Sequence, residues 1–294
     1  MKRWCFFFLL VGGSLFLPFF AQRLTLGFHP AKLRFSFPYH LEKKQPPVTE
    51  EIEGILKQPF TYLNRGSQLY VFESQDKKYV LKLFRYNRSQ FPAIQKIKKW
   101  FHKKEKTNLC SKIEKTFNAY AIAFFEAPEC TQLLYVHLQP DREKFPQVTL
   151  TDPIGRTWHL RINEYRFALQ RKADSFKETL VRNIENIAEM RTLLQSFLSL
   201  MVNRTHLQIR NSDHNLWPNF GFFENRAVEI DCGNYRKCPA LSDPELRIQE
   251  IERFFYPLFQ WMIKHAPEYL HVFHLSFLVE CEKIRNPSSK GEGP

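Results

Sequence analysis

The sequence predicts an α+β fold, with a β-rich N-terminal lobe followed by a helical C-terminal lobe. Short apolar and aromatic runs bounded by turn residues favour strands between residues 70 and 162. After residue 176, apolar residues recur at spacings of three and four, which favours helices. The 294 residues are 44% hydrophobic and 15% aromatic. This composition excludes disorder for most of the chain and allows one large domain or two small ones.

The N-terminus predicts a hydrophobic helix that acts as a signal peptide or membrane anchor. Lys2 and Arg3 precede residues 4–20, which carry no charge. A basic stretch before an apolar one is typical of a secretory signal, and this length is at the low edge for a spanning helix. A poor cleavage site favours an uncleaved anchor over residues 1–22. Basic residues flank both ends, so the side of the membrane is open, and secretion is the alternative.

The other elements follow from local patterns in chain order. Asp243 and Pro244 are typical of a helix start, and Pro257 predicts a kink. The predicted elements are a hairpin of residues 70–73 and 78–85, a helix over 92–126, a strand over 132–138, a hairpin of 148–151 and 157–162, a helix over 176–203, a strand over 228–231 and a helix from 244.

These elements predict a division of the chain beyond the anchor. Its parts are a proline-containing linker over 23–55, an N-terminal lobe with an inserted hairpin over 56–170, a C-terminal lobe over 171–285 and a disordered tail over 286–294.

The basic charge is concentrated in one stretch. Of the formal net charge of +13, residues 76–115 contribute +10. Such a stretch is typical of a solvated helix, of a surface that contacts phosphates, or of a membrane surface. The six cysteines are scattered without a C-x-x-C pair, so a disulfide framework or a zinc ribbon is not expected.

Three motifs place polar residues within or between apolar segments. Residues 64–71, Asn-Arg-Gly-Ser-Gln-Leu-Tyr-Val, form a turn between two predicted strands. Lys82 lies in the middle of the apolar strand Val-Leu-Lys-Leu-Phe. Residues 211–221, Asn-Ser-Asp-His-Asn-Leu-Trp-Pro-Asn-Phe-Gly, are followed by Ile-Asp-Cys-Gly at 230–233. With these motifs, the chain resembles the protein-kinase-like superfamily over about residues 58–265.

The resemblance implies a two-lobed fold that binds ATP with Mg²⁺. Gly66 and Val71 match the second glycine and the valine of the loop that covers the donor phosphates. Lys82 would aim its ammonium group at those phosphates. Glu114, or as a second choice Glu126, would be the carboxylate partner of this lysine.

The same resemblance assigns the acceptor and metal residues. Asp213 would accept the hydroxyl proton or orient the acceptor. Asn219 and Asp231 would hold Mg²⁺, a hard cation that prefers oxygen ligands. Asp213 and Asp231 are 18 residues apart, which is about the superfamily separation.

The chain departs from the superfamily pattern at several positions. Asn64 and Leu69 replace the first and third glycines of the loop, and Asn211-Ser212 replaces the usual His-Arg. Only 61 residues follow Gly233, so the predicted C-terminal lobe is truncated. The chain therefore resembles bacterial lipopolysaccharide-core and sugar kinases more than peptide kinases.

These observations predict a membrane-associated, ATP-dependent phosphotransferase. Its partners would be a nucleotide, a membrane surface and an acceptor hydroxyl on a lipid, a sugar or a protein. One alternative is a catalytically dead kinase-like binding or membrane protein. Another is a basic nucleic-acid-binding protein that uses residues 96–106, which the apolar N-terminus disfavours.

Overall fold

The computed structural model of the chain describes residues 20, 22–35, 38–85, 103–139 and 145–286. The predicted hydrophobic helix, apart from Phe20 and residue 22, lies outside these residues, and so do residues 86–102 of the basic stretch and the predicted tail from 287. Within the described ranges, no helix has both the length and the apolar character needed to cross a membrane.

The described residues form a mixed α+β structure, which confirms the predicted fold class. Its strands are β1 (Pro59–Arg65), β2 (Leu69–Ser74), β3 (Tyr79–Phe84), β4 (Leu133–His137), β5 (Gln147–Thr151), β6 (Thr157–Arg161), β7 (Phe167–Arg171), β8 (Asp174–Ser175), β9 (Ile209–Asn211), β10 (Phe220–Phe223), β11 (Arg226–Glu229) and β12 (Tyr235–Lys237).

The helices are concentrated in the second half of the chain. They are α1 (Glu50–Lys57), α2 (Lys103–Glu126), α3 (Pro128–Thr131), α4 (Phe176–Arg182), α5 (Ile187–His206), α6 (Leu216–Asn219), α7 (Pro244–His265) and α8 (Pro267–Arg285), with short 3₁₀ turns at Pro30–Leu33, Ile162–Glu164 and Pro239–Ser242.

The chain divides into two compact units. The first contains residues 1–113 and 135–170, and the second contains residues 114–134 and 171–294. Among the described residues, seven strands form the sheet of the first unit, in the order β4-β7-β3-β2-β1-β5-β6. Both predicted hairpins belong to it, as the antiparallel pairs β2–β3 and β5–β6.

Aromatic packing covers one face of the first unit's sheet. Phe28 is 3% exposed. Its ring lies 5.1 Å from the rings of Tyr70 and Phe72 and 6.5 Å from that of Tyr62. Part of the predicted linker therefore packs against the sheet, because burying an aromatic ring stabilises the folded chain.

Phenylalanine side chains form the core of the second unit. The Phe197 ring lies 4.9 Å from Phe176, 5.3 Å from Phe220 and 5.4 Å from Phe255. These rings come from α4, α5, β10 and α7. Their contacts join the helices to the small sheet β11-β10-β8.

The predicted helix over 176–203 is wrong in its continuity, because two asparagines interrupt it. Asn183 ends α4, and its N–H bonds back to the carbonyl oxygens of that helix. Asn186 then begins α5, with its side-chain oxygen accepting from the Glu189 N–H at 3.1 Å. Short polar side chains compete with helical hydrogen bonds in this way.

The predicted start of α7 is confirmed. The Asp243 carboxylate accepts from the N–H groups of Glu245 and Leu246, at 2.8 and 3.0 Å. This satisfies helix donors that would otherwise lack partners. The helix then runs to His265, with Pro257 inside it.

Gly221 is the glycine of this fold that most clearly cannot carry a side chain. A Cβ atom there would lie 2.5 Å from the Asp174 carbonyl oxygen and 2.9 Å from the Ala173 Cβ. Because β10 and β8 pair at this point, Gly221→Ala must push the strands apart. We expect the free energy of unfolding to fall by about 1–3 kcal/mol, as in overpacked cores, in urea denaturation.

The matched control is Gly66→Ala, where a Cβ atom would meet no atom within 4 Å. Its unfolding transition should stay close to that of the unsubstituted protein. Equal losses in the two variants would contradict the steric argument.

Candidate functional site

The second unit brings the predicted acceptor and metal residues onto two neighbouring loops. Asp213 lies in the loop that follows β9, and Asn219 ends the single turn α6. Asp231 lies just after β11. The N–H groups of Ile230 and Asp231 both donate to the Asn219 carbonyl oxygen, at 2.7 and 3.2 Å. The backbone at Asn219 is thus hydrogen-bonded to the backbone at Asp231, the other predicted metal ligand.

One buried amide side chain connects both loops. Asn211 is 0% exposed. Its Nδ2 donates to the Asp231 carbonyl oxygen at 3.2 Å, and its Oδ1 accepts from the Asp213 N–H at 2.9 Å. Asn211 therefore sets the position of the backbone at both predicted functional carboxylates.

The two carboxylates keep part of their hydrogen-bonding capacity unused. Asp213 Oδ1 accepts from the Asn215 N–H at 3.1 Å, and Asp231 Oδ1 accepts from the Gly233 N–H at 3.1 Å. Within the described ranges, the Oδ2 atom of neither carboxylate has a hydrogen bond. The loops orient each carboxylate while leaving one oxygen for another ligand.

Asn219 shows the same pattern in a buried setting. The residue is only 3% exposed, and its Nδ2 has no hydrogen-bond partner among the residues the structure describes. Leaving a buried amide unsatisfied costs roughly 1–3 kcal/mol. Because Nδ2 is a donor, its partner would have to be an acceptor atom and not a metal ion.

A buried ion pair holds Asn211 in place. Glu229, on β11, accepts from Arg204 Nη1 at 2.8 and 3.1 Å, from Asn211 Nδ2 at 2.6 Å and from the Tyr235 hydroxyl at 2.6 Å. Arg204 and Glu229 are both 0% exposed. The carboxylate is fully surrounded by donors, which is the condition under which a buried charge is tolerated.

The network extends from Arg204 to α7. Its Nη2 lies 3.3 Å from Glu250, which also lies 3.0 Å from Arg210 and 3.4 Å from Arg253. Burial raises the pKa of the Glu250 carboxyl, although the neighbouring arginines oppose the shift. Burial and the Glu229 carboxylate together raise the pKa of the Tyr235 hydroxyl, so it stays protonated as a donor.

The predicted donor-phosphate residues lie in the first unit. Lys82 is at the centre of β3, is 6% exposed and pairs in register with Val71 on β2. Gly66 lies between β1 and β2, where its N–H donates to the Leu69 carbonyl oxygen at 2.9 Å. A Cβ atom at position 66 would meet no atom within 4 Å, so the fold of the first unit does not require a glycine there.

The two candidate carboxylate partners of Lys82 both lie on α2. Glu114 has an exposed side chain. Glu126 forms an ion pair of 2.7 Å with Lys237 within the second unit. Which carboxylate serves Lys82 remains a prediction.

The predicted magnesium ligands Asp231 and Asn219 both carry side-chain oxygens, and their metal role stays a prediction. Within the described ranges, no group of three or more His, Cys, Asp or Glu side chains could hold a metal ion. Mg²⁺ needs fewer protein ligands, since phosphates and water complete its octahedron. Asp231 would offer its unused carboxylate oxygen and Asn219 its side-chain oxygen, whereas the Nδ2 of Asn219, unpaired among the described residues, is a donor and cannot bind a metal.

Comparison with known proteins adds no relative: no protein-family model matches the chain, and no curated protein matches it in sequence.

Sequence reasoning missed Arg204, Glu229 and Glu250, and noted Asn211 only as a departure from a family pattern. One available signal was Glu229, a carboxylate between Val228 and Ile230 in an otherwise apolar strand. A charge at such a position requires a buried partner, but the strand pattern alone does not identify it.

We expect Glu229→Gln to be strongly destabilising, although it preserves the shape of the side chain. The buried Arg204 guanidinium would lose the charge of Glu229 and keep only the Glu250 carboxylate as a counter-charge. Breaking a buried pair in this way costs about 3–5 kcal/mol. Urea denaturation followed by Trp217 and Trp261 fluorescence measures this loss.

The control is Glu245→Gln, which breaks the exposed pair with Arg285 at 2.6 Å. Exposed pairs contribute little, so its unfolding midpoint should barely move. Similar midpoints for both variants would show that the buried network is not essential.

Proposed function

We propose that the chain is a membrane-associated, kinase-like phosphotransferase that moves the γ-phosphate of ATP to a hydroxyl acceptor. The observation that carries the proposal is the arrangement around Asn211. One buried amide bonds to the backbone of both Asp213 and Asp231, and each carboxylate keeps an oxygen without a hydrogen bond. Phosphoryl transfer depends mainly on positioning and charge stabilisation, which such a fixed pair of carboxylates can supply.

The residues of the second unit have distinct roles in this mechanism. Asp231 and Asn219 would hold Mg²⁺, which supplies positive charge to the transferring phosphate when it is bound. Asp213 would orient the acceptor hydroxyl and take its proton. The exposed side of its loop leaves room for an acceptor, because Asp213 itself is half-buried and its neighbour His214 is exposed.

Lys82 would contribute positive charge to the donor phosphates. Its side chain is 6% exposed and lies within an apolar strand, where Lys82 pairs in register with Val71. Gly66 and Val71 would contribute the covering loop and an apolar contact to the nucleotide. These roles rest on the order of the motifs along the chain.

The membrane association rests on the apolar residues 4–20, and the acceptor would be a hydroxyl of a lipid, a sugar or a protein. Resemblance to the lipopolysaccharide-core kinases favours a sugar hydroxyl on a membrane lipid. Reporter fusions at the C-terminus test the topology. ATP chemistry requires the C-terminal reporter to be found in a compartment that contains ATP.

The first test of the proposal is binding of Mg-ATP. At a concentration one hundred times its Kd, a ligand stabilises the folded state by about 2.7 kcal/mol. We expect Mg-ATP to raise the melting temperature of the unsubstituted chain, and Asp231→Asn to remove this shift because the metal loses its charged ligand. Thermal denaturation with and without Mg-ATP is the measurement.

The control is Glu224→Gln, which neutralises an exposed carboxylate on the turn of the same β10–β11 hairpin. It should keep the full shift. A shift that survives in Asp231→Asn would refute the metal role of this residue.

The second test separates binding from chemistry. Asp213→Asn should keep the Mg-ATP shift while lowering phosphoryl transfer by about 10²–10⁴-fold, the usual contribution of a general base. With the acceptor unidentified, release of phosphate from ATP to water is the measured reaction.

The outcome also distinguishes the kinase from the inactive alternative. A chain that is stabilised by Mg-ATP but transfers phosphate neither to water nor to lipid, sugar and protein hydroxyl acceptors would be a kinase-like binding protein. A chain that shows neither response would contradict nucleotide binding altogether.

A further inference from the structure

Cationic side chains of the first unit converge on one bend of the chain. Arg65 Nη1 donates to the Leu26 carbonyl oxygen at 2.6 Å, and Lys32 Nζ donates to the Gly27 carbonyl oxygen at 2.6 Å. A Cβ atom built on Gly27 would lie 3.1 Å from that Arg65 nitrogen and 3.6 Å from the Lys32 nitrogen. Two positively charged groups therefore approach the same point of the structure.

Arg85 adds a third positive charge through Tyr70. Its guanidinium carbon lies 5.1 Å from the centre of the Tyr70 ring, and the Tyr70 hydroxyl donates to the same Gly27 carbonyl oxygen. Arg85 also donates twice to the Ser67 carbonyl oxygen, at 3.1 and 3.0 Å. Both arginines thus flank the loop between β1 and β2.

Within the described part of the chain, none of these three side chains pairs with a carboxylate. Their hydrogen bonds go to backbone carbonyl oxygens. Burial lowers the pKa of the Lys32 ammonium group, and Arg85 and Arg65 lower it further. Like charges held this closely disfavour one another unless an anion is present.

The cluster lies on the face of the sheet opposite Lys82. Arg65 pairs in register with Tyr70, and Val71 pairs with Lys82. Successive residues of a strand point to opposite faces, and paired residues share a face. The side chains of Arg65 and Tyr70 therefore lie on the face of the sheet against which Phe28 packs, here called the Phe28 face, and point away from Lys82.

We propose that Lys32, Arg65 and Arg85 form a binding site for a phosphate-bearing anion on the Phe28 face of the first unit. The guanidinium fork matches phosphate oxygens, and the three positive charges exceed the two negative charges of a phosphate monoester. Capping of the bend by Lys32 and Arg65 explains the carbonyl contacts. Arg85 makes similar contacts with the Ser67 carbonyl oxygen and the Tyr70 ring, yet none of the three cations meets a carboxylate among the described residues.

The phosphate has two plausible sources, which the test must separate. It belongs to a soluble phosphorylated compound or to a phospholipid headgroup. The lipid source is relevant because apolar side chains beside the cluster are exposed, with Leu24 at 51% and Leu26 at 43%. Anionic lipids attract cations that follow a membrane segment in sequence.

The experiment uses the full chain and the double variant Arg65→Gln/Arg85→Gln. Glutamine keeps an amide that can donate to the carbonyl oxygens, while the two charges are removed. The matched control is Lys44→Gln/Arg161→Gln, which removes two charges from exposed positions of the same unit. Lys82→Met is included to exclude binding at the proposed nucleotide site, and thermal denaturation checks that each variant folds.

Two probes are titrated against each protein. One is pyrophosphate, with the protein in a zwitterionic detergent, and the other is a set of vesicles with and without phosphatidylglycerol. We expect the double variant to lose about tenfold in affinity for one probe, the effect of a lost charge-assisted contact. The control should bind that probe like the unsubstituted chain. In a Lys82→Met background, the two arginine substitutions should cause the same loss, because it does not arise at the proposed nucleotide site.

A loss confined to pyrophosphate identifies a soluble phosphate ligand, and a lost preference for phosphatidylglycerol vesicles identifies a lipid headgroup. Equal binding by the unsubstituted chain and the double variant with both probes would overturn the proposal. An unsubstituted chain that binds neither probe would do the same, and the cations would then serve only to hold the bend. Neither result depends on Mg-ATP binding, so the proposal and the kinase function can fail separately.

Discussion

The buried ion pair between Arg204 and Glu229 is the interaction on which the second unit depends. Both side chains are removed from water, so each would be strongly unfavourable without the other. The pair joins α5 to β11, and through Glu250 it reaches α7. The aromatic core around Phe197 also joins α5 to α7, by non-directional burial. The ion pair adds the directional contacts that select one arrangement of them.

The same pair connects stability to the candidate site. Glu229 binds the amide of Asn211, and Asn211 binds the backbone at Asp213 and Asp231. A site whose carboxylates must keep an unused oxygen cannot be held by bonds to those oxygens. Holding the backbone through a buried amide solves this problem, because the side chains stay available for a ligand. The position of the two carboxylates is thus set by hydrogen bonds to their backbone.

The two units place charge differently. In the second unit, the buried Arg204 guanidinium is compensated by the buried carboxylates of Glu229 and Glu250. In the first unit, Lys32, Arg65 and Arg85 meet without a described counter-charge, and Lys82 lies buried on the opposite face of the sheet. Part of the positive charge of the second unit therefore stabilises its fold.

Features that depend on interactions between neighbouring residues are predictable from the sequence. Alternating patterns and turn residues identified both hairpins, and Asp243 with Pro244 identified the start of α7, because strand pairing across a short turn and helix capping are local interactions. The break at Asn183–Asn186 was missed, since apolar residues continue the helical spacing across it. The sequence does not predict α8. Its apolar residues Leu275, Leu278 and Val279 are exposed in the structure, so the apolar pattern does not mark the buried face of the helix.

The contacts that hold the candidate site are between residues distant in sequence, and they became visible in the folded chain. The order Asp213, Asn219, Asp231 was visible in the sequence, but their connection through Asn211 was not. Arg204 and Glu229 are 25 residues apart, and Arg204 and Glu250 are 46 apart. A buried charge selects its partner by packing and desolvation, which no local pattern encodes. For the same reason, the convergence of Lys32, Arg65 and Arg85 became apparent only when the chain was folded.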